Sequence, residues 1–226
     1  MKKQENYLKK QITLFLLNMI ENKIILEPEV KVPFFVLLHP LGQNENALLF
    51  LKDRLPKNAF ILAVRGPRDW KTGRDDGFGW FDVIGCYLET FSKIEDIEMC
   101  SNYLKPIIDE TMNKYPLLDD PIIFGVSQGG VVALHSCVEH KIKCRAVVSL
   151  LGFYEFKLDT NQEIDTPILM INGATDNVIM PDWAEVSQIH LKKKNKNVIG
   201  LFLNSGHEIT EEMINISLLW IDNLLK

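Results

Sequence analysis

The feature that most constrains this chain is an alternation. Short, nearly unbroken apolar runs rich in Val, Ile, Leu and Phe recur at residues 33–39, 59–64, 121–126, 145–151, 167–172 and 197–203. Runs this short, without polar alternation, suit strands covered on both faces, as in a parallel sheet. The segments between them, 44–55, 90–114, 128–140, 181–194 and 208–225, carry helical spacing. In 90–114 the apolar residues Phe91, Ile94, Ile97, Leu104, Ile108 and Met112 fall close to a 3.6-residue period. Pro181 opens its segment, a favoured first-turn position. Strand and helix in turn predict an α/β fold: a mostly parallel central sheet with helices on both faces. Open sheets of this kind bind ligands at the carboxyl ends of their strands. Chemistry is therefore expected just after the apolar runs.

The length of 226 residues suits one domain spanning 1–226. Such a domain buries roughly 70% of its unfolded surface, so it needs no disulfide or metal to be stable. A net charge of −5 argues against a nucleic-acid partner, which usually calls for a basic face. The four cysteines, Cys86, Cys100, Cys137 and Cys144, show no CxxC spacing. They read as free thiols in a reducing compartment, which predicts a cytoplasmic protein. Near the N-terminus, Lys2, Lys3, Lys9 and Lys10 precede an apolar run over 12–20 that Asn18 interrupts. That run is too short to span a bilayer, so no stable membrane insertion is expected. Residues 1–30 fit an amphipathic helix or a first strand pair, and the sequence does not decide between them.

The run at 121–126 ends in Gly125-Val126-Ser127-Gln128-Gly129-Gly130. This G-x-S-x-G pattern lies between a predicted strand and a predicted helix. A sharp strand-to-helix turn would hold the serine in a strained backbone conformation, and its flanking positions must be small. The helix N-terminus beneath Ser127 would favour developing negative charge. Ser127 is the candidate nucleophile; no G-x-x-x-x-G-K pattern supports a phosphate loop.

A serine hydroxyl needs a base. His135, His140 and His190 fall inside predicted helices, and His39 ends the first apolar run. His207, in Asn204-Ser205-Gly206-His207, follows the last run in a loop and is the candidate base. The imidazole needs an acceptor that fixes its tautomer. Asp176 follows the run at 167–172, whereas Asp165 lies at the wrong end of that strand. Asp182 begins a helix and Asp159 sits in a polar loop. The chain order Ser127, Asp176, His207 matches the order used where a nucleophile elbow tops an α/β sheet. The tetrahedral oxyanion would be held by two backbone N–H groups, those of Gln128 and Leu41. Pro40 has no N–H to offer, and His39 reads as a residue that orders its loop.

Taken together, these segments resemble the phospholipase/carboxylesterase family of small α/β-hydrolases, which contains carboxylesterases, lysophospholipases and acyl-protein thioesterases. The likeness rests on Leu38-His39-Pro40-Leu41-Gly42, Trp80-Phe81-Asp82, residues 125–130, residues 173–181 and Gly206-His207. It runs from about Pro33 to the C-terminus. This chain has Pro40 where the family usually has Gly. The resemblance implies the α/β-hydrolase fold with no large cap domain, and an esterase or thioesterase that uses no cofactor and no metal. The expected substrate is a small-molecule ester or thioester. Transfer of the acyl group to an alcohol or amine, or ligand binding without catalysis, remain as alternatives. The oligomeric state is open, a homodimer included.

The loop 65–87 carries Arg65, Arg68, Arg74, Phe78, Trp80 and Phe81. Phe78, Trp80 and Phe81 fit an acyl-binding wall, and Trp80 and Phe81 equally fit packing of the loop onto the core. The arginines fit either a substrate anion or simple solvation.

Overall fold

The computed structural model describes residues 22–25, 28–70, 77–83, 94–139, 142–154 and 164–226. The N-terminal apolar run at 12–20, Arg74, Cys86, residues 90–93, His140 and Asp159 lie outside the described residues.

The strands are β1 (Lys23–Ile24), β2 (Phe34–Leu38), β3 (Phe60–Val64), β4 (Arg68–Asp69), β5 (Phe78–Gly79), β6 (Ile122–Val126), β7 (Ala146–Leu150), β8 (Ile168–Gly173) and β9 (Val198–Leu203). The helices are α1 (Ile94–Lys114), α2 (Gln128–Val138), α3 (Pro181–Lys194) and α4 (Glu211–Leu225). The central sheet runs β1-β3-β2-β6-β7-β8-β9. All its pairings are parallel except the antiparallel edge pair β1–β3. Each predicted strand thus has an observed counterpart. Every residue of β2, β3, β6, β7 and β8 is buried.

Period-two alternation divides the core in two. Val36 and Leu38 point to one face of β2 and pack with Ile97 and Leu104 of α1, Val131 and Leu134 of α2 and Leu191 of α3. Phe35 and Leu37 point to the other and pack with Met213, Ile214 and Ile221 of α4. Helices therefore cover both faces, and among them no described helix is long and apolar enough to cross a membrane. Helix α4 begins later than its spacing predicts, at Glu211, because Thr210 caps it by accepting the Met213 N–H at 3.2 Å.

One predicted helix is not formed. Residues 44–55 fold as successive turns and a five-residue 3₁₀ helix, Leu49–Asp53. Asn44 Oδ1 accepts the Asn46 N–H at 2.9 Å, a local bond that competes with an α-helical start. Backbone bonds three residues apart follow, from Ala47 to Asn44, Leu49 to Asn46 and Leu51 to Leu48. Leu48 and Leu51, both buried, suit that tighter three-residue turn. The excursion between β3 and α1 also holds the small β4–β5 hairpin, which periodicity did not reveal.

Candidate active site

Strand β6 delivers Ser127 to the site. Its φ of 52° and ψ of −119° lie where non-glycine residues are strained. The surroundings enforce the turn. The Ser127 N–H donates to Leu150 O at 2.8 Å, and Ser127 O accepts the Val131 N–H at 3.0 Å. A Cβ on Gly125 would meet Gly129 O at 2.2 Å, and one on Gly129 would meet Leu38 O at the same distance. Both positions must be glycine for the helix to approach the sheet this closely. Ser127 heads α2 without using its side chain as a cap, so the hydroxyl remains available. It lies 2.9 Å from His207 Nε2.

His207 follows β9, and its Nδ1 lies 2.7 Å from Asp176 Oδ2. Asp176 follows β8. Its carboxylate is fully buried, a costly placement unless every oxygen finds donors. The second oxygen, Oδ1, accepts the N–H groups of Val178 at 2.8 Å and Ile179 at 2.9 Å. These distances fit a tautomer in which Nδ1–H donates to the carboxylate and Nε2 accepts from the serine hydroxyl. The three side chains, separated in the chain by 31 and 80 residues, converge at the carboxyl rim of the sheet.

A cavity of about 100 Å³ opens beside Ser127. Leu41, Ser127 and Gln128 contribute to its lining. Gln128 is the first residue of α2, where N–H groups have no acceptor within the helix. Phe81 and Val83 line it from the segment after β5, Val131 from α2, and Phe153 from the loop after β7. Val178, Ile179 and Trp183 line it from the turn into α3. The lining is mostly apolar, and the walls from Val131, Phe153 and the 178–183 turn were absent from the sequence reading. A signal for them existed: Phe153, Val178 and Ile179 all follow carboxyl ends of buried strands.

The three aromatics predicted as an acyl wall separate. Phe81 lines the cavity. Trp80 is completely buried in the core, its indole N–H donating to His39 O at 2.8 Å. Phe78 faces Arg65, whose guanidinium carbon lies 4.4 Å from the ring centroid. Arg65 also grips the buried carboxylate of Glu45 with two bonds, at 2.6 and 2.8 Å, and Arg68 pairs with Asp82 and Asp96. These two arginines are thus engaged within the protein.

His39 takes no part in the Ser127 constellation. Its Nδ1 donates to Pro40 O at 2.8 Å and its Nε2 accepts the Gly66 N–H at 2.9 Å. Burial lowers its pKa to about 4, so it stays neutral and ties the loop after β2 to the loop after β3. His135 meets Ser101, and His190 lies on α3. Cys100, Cys137 and Cys144 are buried free thiols. Among the described residues no group of three or more His, Cys, Asp or Glu could hold a metal ion.

Comparison with known proteins places this geometry in context. The family model described as Phospholipase/Carboxylesterase matches residues 21–224. Acyl-protein thioesterase 1 homolog 2 of Dictyostelium discoideum is 28% identical over 127 residues, which make up 54% of this chain. The matched region spans 57% of that relative's length. A protein of Oryza sativa subsp. japonica named a probable inactive carboxylesterase is 27% identical over 161 residues, 65% of each chain. Among solved structures, the Bacillus cereus carboxylesterase shares the fold with a TM-score of 0.80 at 20% identity, covering 94% of this chain and 99% of that one.

Proposed function

The chain belongs to the phospholipase/carboxylesterase family, and on that premise we propose that it is a serine hydrolase that cleaves carboxylic esters or thioesters through an acyl-enzyme. The observation that carries the reading is the continuous hydrogen-bonded series from Ser127 Oγ through His207 to Asp176, at 2.9 and 2.7 Å.

In the proposed reaction the Ser127 oxygen attacks the substrate carbonyl carbon while its proton passes to His207 Nε2. The carboxylate of Asp176 stabilises the imidazolium and holds its orientation. The tetrahedral oxyanion is held by the backbone N–H groups of Gln128 and Leu41, which flank the same cavity as Ser127. Collapse expels the alcohol or thiol, which takes the proton from His207. Water then attacks the acyl-serine and gives a proton to His207; as the second tetrahedral intermediate collapses, His207 returns that proton to Ser127 Oγ and the carboxylic acid leaves. The mostly apolar lining of the cavity favours a neutral acyl group.

The rice relative's name raises a second reading, ligand binding without chemistry. The intact Ser-His-Asp series favours catalysis. A fluorophosphonate probe and a p-nitrophenyl ester separate the two. A hydrolase is labelled on Ser127 and turns over the ester, and Ser127→Ala loses both properties while remaining folded. A wild-type protein that binds the ester but neither reacts with the probe nor releases nitrophenol would reject the hydrolase reading.

A further inference from the structure

The side chain of Gln128 is buried, although its proposed catalytic contribution is only a backbone N–H. Its amide bonds to the backbone of two consecutive residues in the segment 77–83. Oε1 accepts the Trp80 N–H at 2.8 Å, and Nε2 donates to Phe81 O at 2.7 Å. A side-chain amide here does what a neighbouring strand would do, satisfying a donor and an acceptor of an otherwise irregular strap. We propose that the Gln128 side chain is a positioning residue that sets acyl-group selectivity by pinning Phe81 at the wall of the cavity, an inference that rests on the acyl-enzyme reading above.

The strap has other fastenings, most of them before Phe81; just beyond it, Asp82 pairs with Arg68. The Gly42 N–H donates to Phe78 O, and the Phe78 N–H to Gln43 O, both at 2.8 Å. Trp80 Nε1–H donates to His39 O at 2.8 Å, and the Cys100 thiol to Trp80 O at 3.0 Å. These bonds hold residues 78–80 against the Leu41 loop and α1. Among the described residues, the Phe81 carbonyl accepts from Gln128 Nε2. Phe81 and Val83 then line the cavity together with Phe153 and Trp183. An amide on the residue next to the nucleophile thus ties the Phe81 backbone to the start of α2, beside Ser127. Without that amide, a buried carbonyl and a buried N–H lose their partners. The strap then relaxes outward to find water, carrying Phe81 with it and enlarging the space for the acyl group.

The test uses Gln128→Met, which keeps the side chain's length and its backbone N–H and removes both bonds. The readout is the ratio of kcat/KM for p-nitrophenyl octanoate over butyrate. Both esters are measured on one sample, so the ratio does not depend on the folded fraction. The ratio should rise by about 10-fold, the low end of what a methylene in an apolar pocket discriminates. Phe81→Ala should raise it similarly, and the double variant should fall well short of the product, because both act through one wall. A Gln128→Met ratio within about twofold of wild type, or effects that simply multiply, overturns the proposal. A wild type that turns over butyrate separates that failure from failure of the hydrolase reading. A wild type that turns over neither ester, with Ser127 unlabelled, removes both.

Discussion

Asp176 Oδ1 accepts the backbone N–H of Ile179 at 2.9 Å, so the carboxylate that faces His207 also holds a wall of the cavity in place. The Asp176→Ala and Asp176→Asn variants should therefore differ. Alanine strands the N–H groups of Val178 and Ile179, and should cost about 2 kcal/mol of stability in urea unfolding. Asparagine keeps an acceptor for them and should cost less. Its amide N–H₂ would face His207 Nδ1 and impose the wrong tautomer, so kcat should still fall by about 10⁴-fold in both. Equal stability losses would contradict the double role.

Ser127→Gly should trade activity for stability. Glycine adopts a φ of 52° without strain. Relief of that strain should stabilise the fold by about 1 kcal/mol, read as a higher Tm, while nitrophenol release disappears. A lower Tm would mean that the turn carries no strain.

Gly129→Ala should do the reverse. Its Cβ would sit 2.2 Å from Leu38 O and 2.8 Å from His39 O, both backbone atoms that cannot swing aside. A loss of about 3 kcal/mol or more is expected, because α2 must shift away from the sheet. The check is chemical denaturation beside the wild-type protein.

His39 should give stability a pH dependence. Burial lowers its pKa from an ordinary 6.5 to about 4. Between these values the unfolded chain binds a proton that the folded chain refuses, so stability rises with pH. The contribution is fully present above pH 6.5 and is lost as pH falls to about 4. Its size is about 3 kcal/mol at most. Urea midpoints measured from pH 7 to 4 should fall less steeply in His39→Gln, whose side chain does not titrate. Parallel curves would exclude this origin.

Trp80 and residues 44–55 show where reading the sequence stops. Aromatics on a loop fit either a ligand wall or core packing, and only the bond from the Trp80 indole to His39 O assigns it to the core. The spacing of Leu48 and Leu51 satisfies a three-residue turn as well as an α-helical one. Local bonds from Asn44 and the burial of Glu45 against Arg65 select the tighter form. By contrast, the central strands were legible because burial on both faces leaves an unbroken apolar run that few other structures tolerate.

The sequence by itself determined the alternation of strand and helix, the serine between Gly125 and Gly129, and the positions of Asp176 and His207 just beyond buried strands. These are local consequences of burial and of backbone sterics, written within a few residues of each other. Only the tertiary structure decided that the Ser127 hydroxyl meets the His207 ring, that Phe81 rather than Trp80 lines the cavity, and that Gln128 grips the strap. Those outcomes depend on which distant segments the sheet order brings together. Contacts between residues far apart in the chain are set by packing the whole core, and no short stretch of sequence carries them.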